Sequence, residues 1–235
     1  MIRECIILAG GLGTRLRSAV PELPKCLAPV AGKPFLHWVL CYLRQQGIER
    51  FVFSLGYRHE LIVDYLEAEW PALDAHYSIE QEPLGTGGAI LLASRQAVEG
   101  TVLIVNGDTL FKVDLAGLAA VHTAQQAHCT LALKPMRDFD RYGVVTLDER
   151  GRISSFREKQ FYAEGLINGG VYALEVKPWL EERMPEKFSF EKDYLETYYS
   201  RRPMAGYVQD GYFIDIGIPE DLARASTELA NEASC

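Results

Sequence analysis

Leu8-Ala-Gly-Gly-Leu-Gly-Thr-Arg-Leu16, followed by Pro24-Lys25, is the stretch of sequence that decides the fold. The apolar run Cys5-Ile-Ile-Leu8 before the glycines is typical of a buried strand in a parallel sheet, and the chain after them can turn into a helix. Glycines in such a turn let backbone N–H groups approach a phosphate closely. Arg15 can bind two phosphate oxygens at once, and Lys25 adds a mobile positive charge. We therefore interpret this stretch as a loop that binds a polyphosphate.

Two better-known glycine loops do not fit. The dinucleotide-binding pattern G-x-G-x-x-G requires a third glycine where the chain has Leu16. A P-loop requires G-x-x-x-x-G-K-[ST], but Gly32-Lys33 is followed by Pro34 and preceded at the required spacing by Leu27. A glycine turn without a ligand is the remaining alternative. It is disfavoured because exposed cations beside such a turn have no packing role.

The pattern G-G-x-G-T-R-L followed by P-K resembles that of the sugar-1-phosphate nucleotidyltransferases, and the resemblance runs from Met1 to about Leu229. It implies a Rossmann-like α/β fold, in which a mostly parallel central sheet is flanked by helices and carries a small antiparallel sugar-binding addition. It also implies a reaction in which a nucleoside triphosphate and a sugar 1-phosphate give a nucleoside-diphosphate sugar and pyrophosphate, with Mg²⁺ as the cofactor.

The composition is that of an ordinary globular protein. Of the 235 residues, 48% are hydrophobic and 24% are charged, which indicates one domain, expected over residues 1–230 with a disordered tail at 231–235. A net charge of −8 without any Lys/Arg-rich run argues against binding to nucleic acid or to an anionic membrane. Neither a signal peptide nor an apolar run of about 18 residues is apparent, so a cytoplasmic location is expected. A homo-oligomer is compatible with the sequence.

Cysteines and histidines are scattered without the spacing of metal ligands, so no zinc site is predicted. Four of the five cysteines are interpreted as packing residues. Cys26 stands beside Lys25 and could have a lowered thiol pKa, but an inert neighbour of the site is the favoured interpretation.

Strands and helices alternate along the first half of the chain. Apolar spacing predicts helices over 35–43 and 59–69 around a strand over 50–55. A second glycine-rich segment opens a helix that ends near Val98, and an apolar strand follows over 101–108. This alternation predicts right-handed crossovers and a parallel sheet, in which ligands lie at the carboxyl ends of the strands.

The second glycine-rich segment is Glu80-Gln-Glu-Pro-Leu-Gly-Thr-Gly-Gly-Ala89. Its glycines allow close backbone approach, and Gln81 offers both a donor and an acceptor to a base edge. The segment resembles the base-recognition segment of the family, Q-x-x-x-G-T-[AG]-x-A, so contacts with the nucleobase and ribose are expected. The alternative is a loop that only caps a helix.

Two aspartates are candidate metal ligands. Asp108 ends the apolar strand, where its carboxylate is expected to point into the ligand crevice, and hard oxygen ligands suit Mg²⁺. A cap on the turn at Thr109 is the alternative role. Asp215 stands in the apolar stretch 213–216, where an unpaired charge is costly. Both match aspartates that bind Mg²⁺ in the family.

Residues 141–147 and 152–159 alternate apolar and polar side chains around a hairpin turn at 148–151, which predicts antiparallel strands. In the family this region forms the sugar-phosphate half of the site through Y-G, E-K and N-x-G motifs. The glycine would permit close approach of the sugar, the glutamate would accept from sugar hydroxyls, and the lysine would hold the sugar phosphate. A surface Glu-Lys pair of little consequence is the alternative. The matching residues are Tyr142-Gly143, Glu158-Lys159 and Asn168-Gly169-Gly170.

Ser189 is predicted to cap a helix that has acidic residues in its first turn. The string Phe188-Ser-Phe-Glu-Lys-Asp-Tyr-Leu-Glu196 also resembles the bacterial D-glycero-D-manno-heptose 1-phosphate guanylyltransferases, and S-[FI]-E-x-[DE] recurs in mannose-1-phosphate guanylyltransferases. This resemblance implies GTP and the manno-heptose 1-phosphate as substrates, in the synthesis of a cell-surface glycan. Thymidylyl or uridylyl transfer to glucose 1-phosphate or another hexose 1-phosphate is the alternative.

The implied reaction is an in-line attack of the sugar 1-phosphate oxygen on the α-phosphorus of the nucleotide. Arg15 and Lys25 would neutralise phosphate charge, Lys159 would orient the nucleophile, and Asp108 and Asp215 would hold Mg²⁺. The further contacts expected with the nucleotide are Leu8, Gly10, Gly11, Gly13, Thr14, Gln81, Pro83, Gly85, Thr86 and Gly107. Those expected with the sugar phosphate are Asp108, Tyr142, Gly143, Glu158, Lys159, Asn168 and Gly169.

Two other classes of protein share parts of this pattern. A non-catalytic relative that only binds a sugar nucleotide should have lost Arg15, Lys25 or one of the two aspartates, and all four are present. A glycosyltransferase should carry an Asp-x-Asp motif after the central strand, where this chain has Gly107-Asp-Thr-Leu110.

Overall fold

The computed structural model describes residues 1–11, residue 16 and residues 22–231. In chain order the strands are β1 (Glu4–Leu8), β2 (Pro29–Val30), β3 (Lys33–Pro34), β4 (Arg50–Leu55), β5 (Asp74–Ile79), β6 (Thr101–Asn106), β7 (Thr109–Phe111), β8 (Cys129–Phe139), β9 (Val144–Leu147), β10 (Ile153–Arg157), β11 (Tyr162–Glu175), β12 (Met204–Val208) and β13 (Phe213–Asp215). The α-helices are α1 (Phe35–Gln45), α2 (His59–Glu69), α3 (Gly85–Ser94), α4 (Leu115–Ala124), α5 (Val176–Leu180), α6 (Glu196–Tyr198) and α7 (Pro219–Glu228). Within these residues, nine strands form one mixed sheet.

The first half of the chain supplies four parallel neighbouring strands of that sheet, in the order β6-β1-β4-β5. β4 and α2 have the predicted bounds, and α1 begins at the predicted residue. α3 ends at Ser94, whereas the sequence predicted an end near Val98. Residues 95–97 continue with hydrogen bonds to carbonyls three residues back, and the N–H groups of Val98 and Glu99 donate to the carboxylate of Glu4 in β1.

The second half adds antiparallel strands around the long strand β11, which pairs with β6, β8 and β9. The antiparallel addition predicted from the sequence is therefore confirmed. β11 begins at Tyr162 and continues through Asn168-Gly169-Gly170 to Glu175. The three residues form an irregularity within the strand, where the pairing with β8 shifts register between Asn168 and Tyr172.

Side chains of β1 alternate between two cores on the opposite faces of the sheet. Cys5 and Ile7 pack with α1, α2 and α4, while Ile6 packs with α3 and α5. This alternation follows from the period of two in a strand, and it explains why the run is apolar throughout. None of the described helices is long and apolar enough to cross a membrane.

Candidate active site

A cavity of about 760 Å³ opens at the carboxyl ends of the parallel strands. This is the edge where a sheet of this type binds its ligands. Residues from both glycine-rich segments line the cavity, together with the residues that follow β6. The lining residues that the sequence also predicted are Leu8, Gly10, Gly11, Lys25, Gln81, Pro83, Gly85, Thr86, Gly107 and Asp108. Gly13, Thr14 and Arg15 lie outside the described residues.

Lys25 places its ammonium group inside this cavity. It begins a single 3-10 turn, Lys25–Leu27, which follows the buried Pro24. Its Nζ atom lies 2.9 Å from Oδ2 of Asp108, and the two side chains are 16% and 30% exposed. The structure therefore brings together a cation and a carboxylate that are 83 residues apart in the sequence.

Asp215 stands beside Asp108 because β7 and β13 form a two-stranded antiparallel ribbon. Asp215 is the register partner of Thr109, and the N–H of Ile216 donates to the carbonyl of Asp108 at 3.0 Å. The carboxylate of Asp215 accepts from the N–H of Gly217 at 2.8 Å and lies 3.4 Å from the hydroxyl of Tyr142. The two predicted metal ligands are thus neighbours.

Burial raises the pKa of Asp215, and the negative charge of Asp108 raises it further. The Gly217 hydrogen bond and the charges of Lys25 and Arg141 act in the opposite direction without cancelling these effects. Two crowded carboxylates of this kind are stabilised by a bound cation. In the described part of the chain no group of three or more His, Cys, Asp or Glu side chains could hold a metal. Two carboxylates completed by substrate phosphates and water are, however, a usual ligand set for Mg²⁺.

The glycines of the second segment serve packing within the chain. Gly85 has a φ of +72°, and a Cβ there would lie 2.5 Å from the carbonyl oxygen of Phe188. A Cβ at Gly87 would collide with the ring of Phe188, and the Gly87 N–H donates to the Phe188 carbonyl at 3.0 Å. The close approach that these glycines permit is therefore to residues 186–188, whereas the sequence interpretation assigned it to a ligand.

None of the residues of the three sugar-phosphate motifs lines this cavity. Tyr142 contacts Asp215, and Asn168 donates from Nδ2 to the hydroxyl of Tyr172 at 2.9 Å. Glu158 and Lys159 follow β10, are exposed and lie outside the cavity lining. Gly143 has a packing reason to be glycine, since a Cβ there would lie 2.6 Å from the carbonyl oxygen of Arg157. A Cβ at Gly169 would collide with the ring of Phe111.

Glu191 also lines the cavity, and the sequence analysis assigned it no role. It lies in a single π-helical turn, Phe190–Leu195, whose predicted cap is confirmed: Ser189 Oγ accepts from the N–H of Lys192 at 3.2 Å. The hydroxyl of Thr86 donates to Glu191 Oε2 at 2.7 Å. The motif that contains Glu191 was visible in the sequence, but its contact with the second glycine segment was not.

Cys26 follows Lys25 in the chain, is buried and also lines the cavity. Burial, followed by the negative charge of Asp108, raises the pKa of its thiol to about 12. The raised thiol pKa supports the interpretation of Cys26 as an inert neighbour of the site and argues against the alternative of a lowered pKa.

The sheet and its glycine-lined cavity are those of an α/β protein that binds a nucleotide. Residues 4–232 match the family described as Nucleotidyl transferase, and the chain belongs to this family. The Rossmann-like fold and the nucleotidyltransferase class predicted from the sequence are therefore confirmed.

Three relatives are similar along nearly the whole chain. The D-glycero-alpha-D-manno-heptose 1-phosphate guanylyltransferase of Aneurinibacillus thermoaerophilus is 51% identical over 227 residues, which cover 96% of this chain and 98% of that protein. The protein with the same name in Campylobacter jejuni is 44% identical, covering 93% and 96%. The crystal structure of HddC from Yersinia pseudotuberculosis complexed with GMP-PN is 35% identical with a TM-score of 0.86, and it covers 97% of this chain and 100% of that chain. The resemblance inferred from the sequence is confirmed.

Proposed function

We propose that this protein transfers a guanylyl group from GTP to D-glycero-α-D-manno-heptose 1-phosphate, and releases pyrophosphate and a GDP-heptose for cell-surface glycan synthesis. The observation that carries the proposal is the meeting of Lys25 and Asp108 in one cavity with two glycine-rich segments, beside Asp215. The similarity to two heptose 1-phosphate guanylyltransferases along nearly their whole length supports the choice of nucleotide and sugar.

The chemistry requires positioning and charge neutralisation more than a general base. A phosphate monoester has a second pKa of about 6, so the attacking oxygen is mostly ionised at neutral pH. Lys25 would neutralise phosphate oxygens in the cavity, and Arg15 would stabilise the charge that develops on the α-phosphate and pyrophosphate. Lys159 would orient the sugar phosphate from the exposed segment after β10.

Divalent metal use is general in this family, and we assign Mg²⁺ to Asp108 and Asp215. The raised pKa of Asp215 supports the assignment, because a cation would offset the burial and mutual repulsion of the two carboxylates. When bound, Mg²⁺ would screen the charge of the phosphate groups.

The test is a grid of pyrophosphate release in Mg²⁺. GTP, dTTP, UTP, CTP and ATP are each combined with heptose, mannose, glucose and N-acetylhexosamine 1-phosphates. We expect one peak, at GTP with the manno-heptose 1-phosphate. A peak at dTTP or UTP with a hexose 1-phosphate would contradict the choice of substrates but keep the reaction. A blank grid with nucleotide still bound would favour the non-catalytic alternative.

A further inference from the structure

Glu191 is a carboxylate in the cavity that the proposed reaction does not use. Its Oε2 atom accepts from the hydroxyl of Thr86 at 2.7 Å and from the hydroxyl of Ser189 at 3.1 Å. Within residues 1–11, 16 and 22–231, no group hydrogen-bonds its Oε1 atom. One carboxylate oxygen is thus fixed by the protein, while the other can accept a hydrogen bond from a ligand.

The π-helical turn that carries Glu191 bridges the two halves of the site. On one side, the N–H of Phe190 donates to Thr86 Oγ1 at 2.9 Å, in the nucleotide segment. On the other side, the ring of Phe190 packs edge-on against Tyr172 of β11, with 5.1 Å between ring centroids. Tyr172 in turn accepts a hydrogen bond from Asn168 of the predicted sugar half.

The charge of Glu191 also acts on Tyr172 of β11. After burial, its negative charge is the next contribution that raises the pKa of Tyr172. The residue expected to read the base, Gln81, follows β5 instead, and β5 is the edge strand of the sheet farthest from β11 among the parallel strands. Glu191 thus shares the cavity with Gln81 and Thr86, while its turn also packs against β11 through Phe190 and Tyr172.

The hydrogen-bonding chemistry of a carboxylate limits which groups of the substrates Glu191 can bind. An ionised carboxylate only accepts hydrogen bonds, and it repels phosphate groups. Sugar hydroxyls are donors, and a heptose carries one more hydroxyl-bearing carbon than a hexose. A site that hydrogen-bonds a hydroxyl discriminates strongly against an analogue that lacks it.

We propose that Glu191, held by Thr86, accepts hydrogen bonds from hydroxyl groups of the sugar 1-phosphate and so determines which sugar is used. The inference rests on the proposed function and deepens it. It also gives the string Phe188–Glu196, which the sequence analysis linked to both GTP and the manno-heptose 1-phosphate, a role in binding the sugar.

The test compares Glu191→Gln with the matched control Asp193→Asn. Glutamine keeps the shape of the side chain and can still accept from Thr86, but it is a weaker acceptor for the sugar. Asp193 lies in the same turn and accepts from the N–H of Ser189 at 2.7 Å, outside the cavity lining. Steady-state kinetics are measured with manno-heptose 1-phosphate and mannose 1-phosphate at saturating GTP, and then with GTP varied.

We expect Glu191→Gln to lower kcat/KM for the heptose phosphate about tenfold relative to that for the mannose phosphate, since a hydrogen bond to a charged group is lost. The KM for GTP of Glu191→Gln should stay within about twofold of the wild-type value. Asp193→Asn should match the wild type in both sugar selectivity and KM for GTP. Glu191→Asp, which withdraws the carboxylate from the sugar, should lose the same selectivity. This second variant keeps the test valid if Glu191→Gln fails to fold.

A changed nucleotide preference with an intact sugar preference would overturn the inference, because Glu191 would then read the base. Wild-type behaviour of both Glu191 variants would also overturn it. Calorimetric binding of each substrate alone separates this inference from the proposed function: a blank kinetic grid contradicts the function, whereas a sugar affinity unchanged by Glu191→Gln contradicts the role of Glu191.

Discussion

At the scale of single residues, Lys25 carries a positive charge in direct contact with the carboxylate of Asp108. It is paired with Asp108 at 2.9 Å in the cavity where we place the phosphates. Lys25→Met keeps most of the side-chain volume and removes the charge. We expect kcat/KM for pyrophosphate release to fall about 10²- to 10³-fold. The free energy of unfolding should change by only about 1 kcal/mol, because the ion pair is partly exposed.

The control for this experiment is Lys33→Met. Lys33 lies in β3 and reaches Glu69 at 4.0 Å, with both side chains about half exposed. Lys33→Met should keep wild-type kinetics in the same assay. A Lys25→Met enzyme with a rate similar to that of the control would contradict the role given to Lys25.

At the scale of elements, Glu4 joins β1, β4 and the turn after α3. Its side chain is fully buried, pairs with the guanidinium of Arg50, and accepts from the N–H groups of Val98 and Glu99 at 2.9 Å each. We expect Glu4→Gln to lower the free energy of unfolding by about 3 kcal/mol, measured in urea, because the Arg50 charge loses its nearest partner. The kinetics should be unchanged, since Glu4 begins β1 and the cavity lies at the other end of that strand.

Glu49→Gln is the matched control for the substitution of Glu4. Glu49 pairs with Arg3 at 3.6 Å, and both side chains are more than half exposed. Its substitution should change the free energy of unfolding by about 0.5 kcal/mol or less. If Glu4→Gln is as stable as this control, the buried ion pair does not hold these elements together.

At the scale of the whole molecule, His122 makes the stability depend on pH. It is buried between α4 and the sheet, with Nδ1 2.8 Å from the hydroxyl of Thr130 and Nε2 3.1 Å from Glu175 Oε1. Burial lowers its pKa, although Glu175 partly opposes this. The folded protein therefore binds fewer protons at this site than the unfolded chain, whose histidines have a pKa of about 6.5. The contribution of His122 to the free energy of unfolding should be fully present above that pH and should be lost as the pH falls below it.

Urea unfolding between about pH 7.5 and 5.5 measures this effect. The raised pKa values of Glu80 and Asp215 favour the folded protein as the solution becomes more acidic, which is opposite to the effect of His122. The measurements therefore do not extend to more acidic pH. His122→Gln should show a shallower loss of stability than the wild type as the pH falls. An unchanged slope would mean that other groups control the pH dependence.

Elements set by local pattern were predictable from the sequence, and contacts between distant residues were not. β4 and α2 follow from apolar periodicity and from stop signals within a few residues. The length of β11 could not be predicted because Asn168-Gly169-Gly170 has the composition of a strand end, although it is an irregularity inside the strand. The contact of Thr86 with Glu191 spans 105 residues, so no local pattern contains it.

One amino acid separates the turn Phe190–Leu195 from an ordinary α-helical turn, because a π-helical turn accommodates an extra residue. Loss of Lys192 would restore α-helical spacing and would change the angle between Glu191 and the buried anchors Tyr194 and Leu195 by about 100°. The β-sheet and the pair formed by Lys25 and Asp108 would be untouched. In a lineage that inherits this fold, deletion of a single codon would therefore redirect the carboxylate in one genetic step, without rebuilding the catalytic centre.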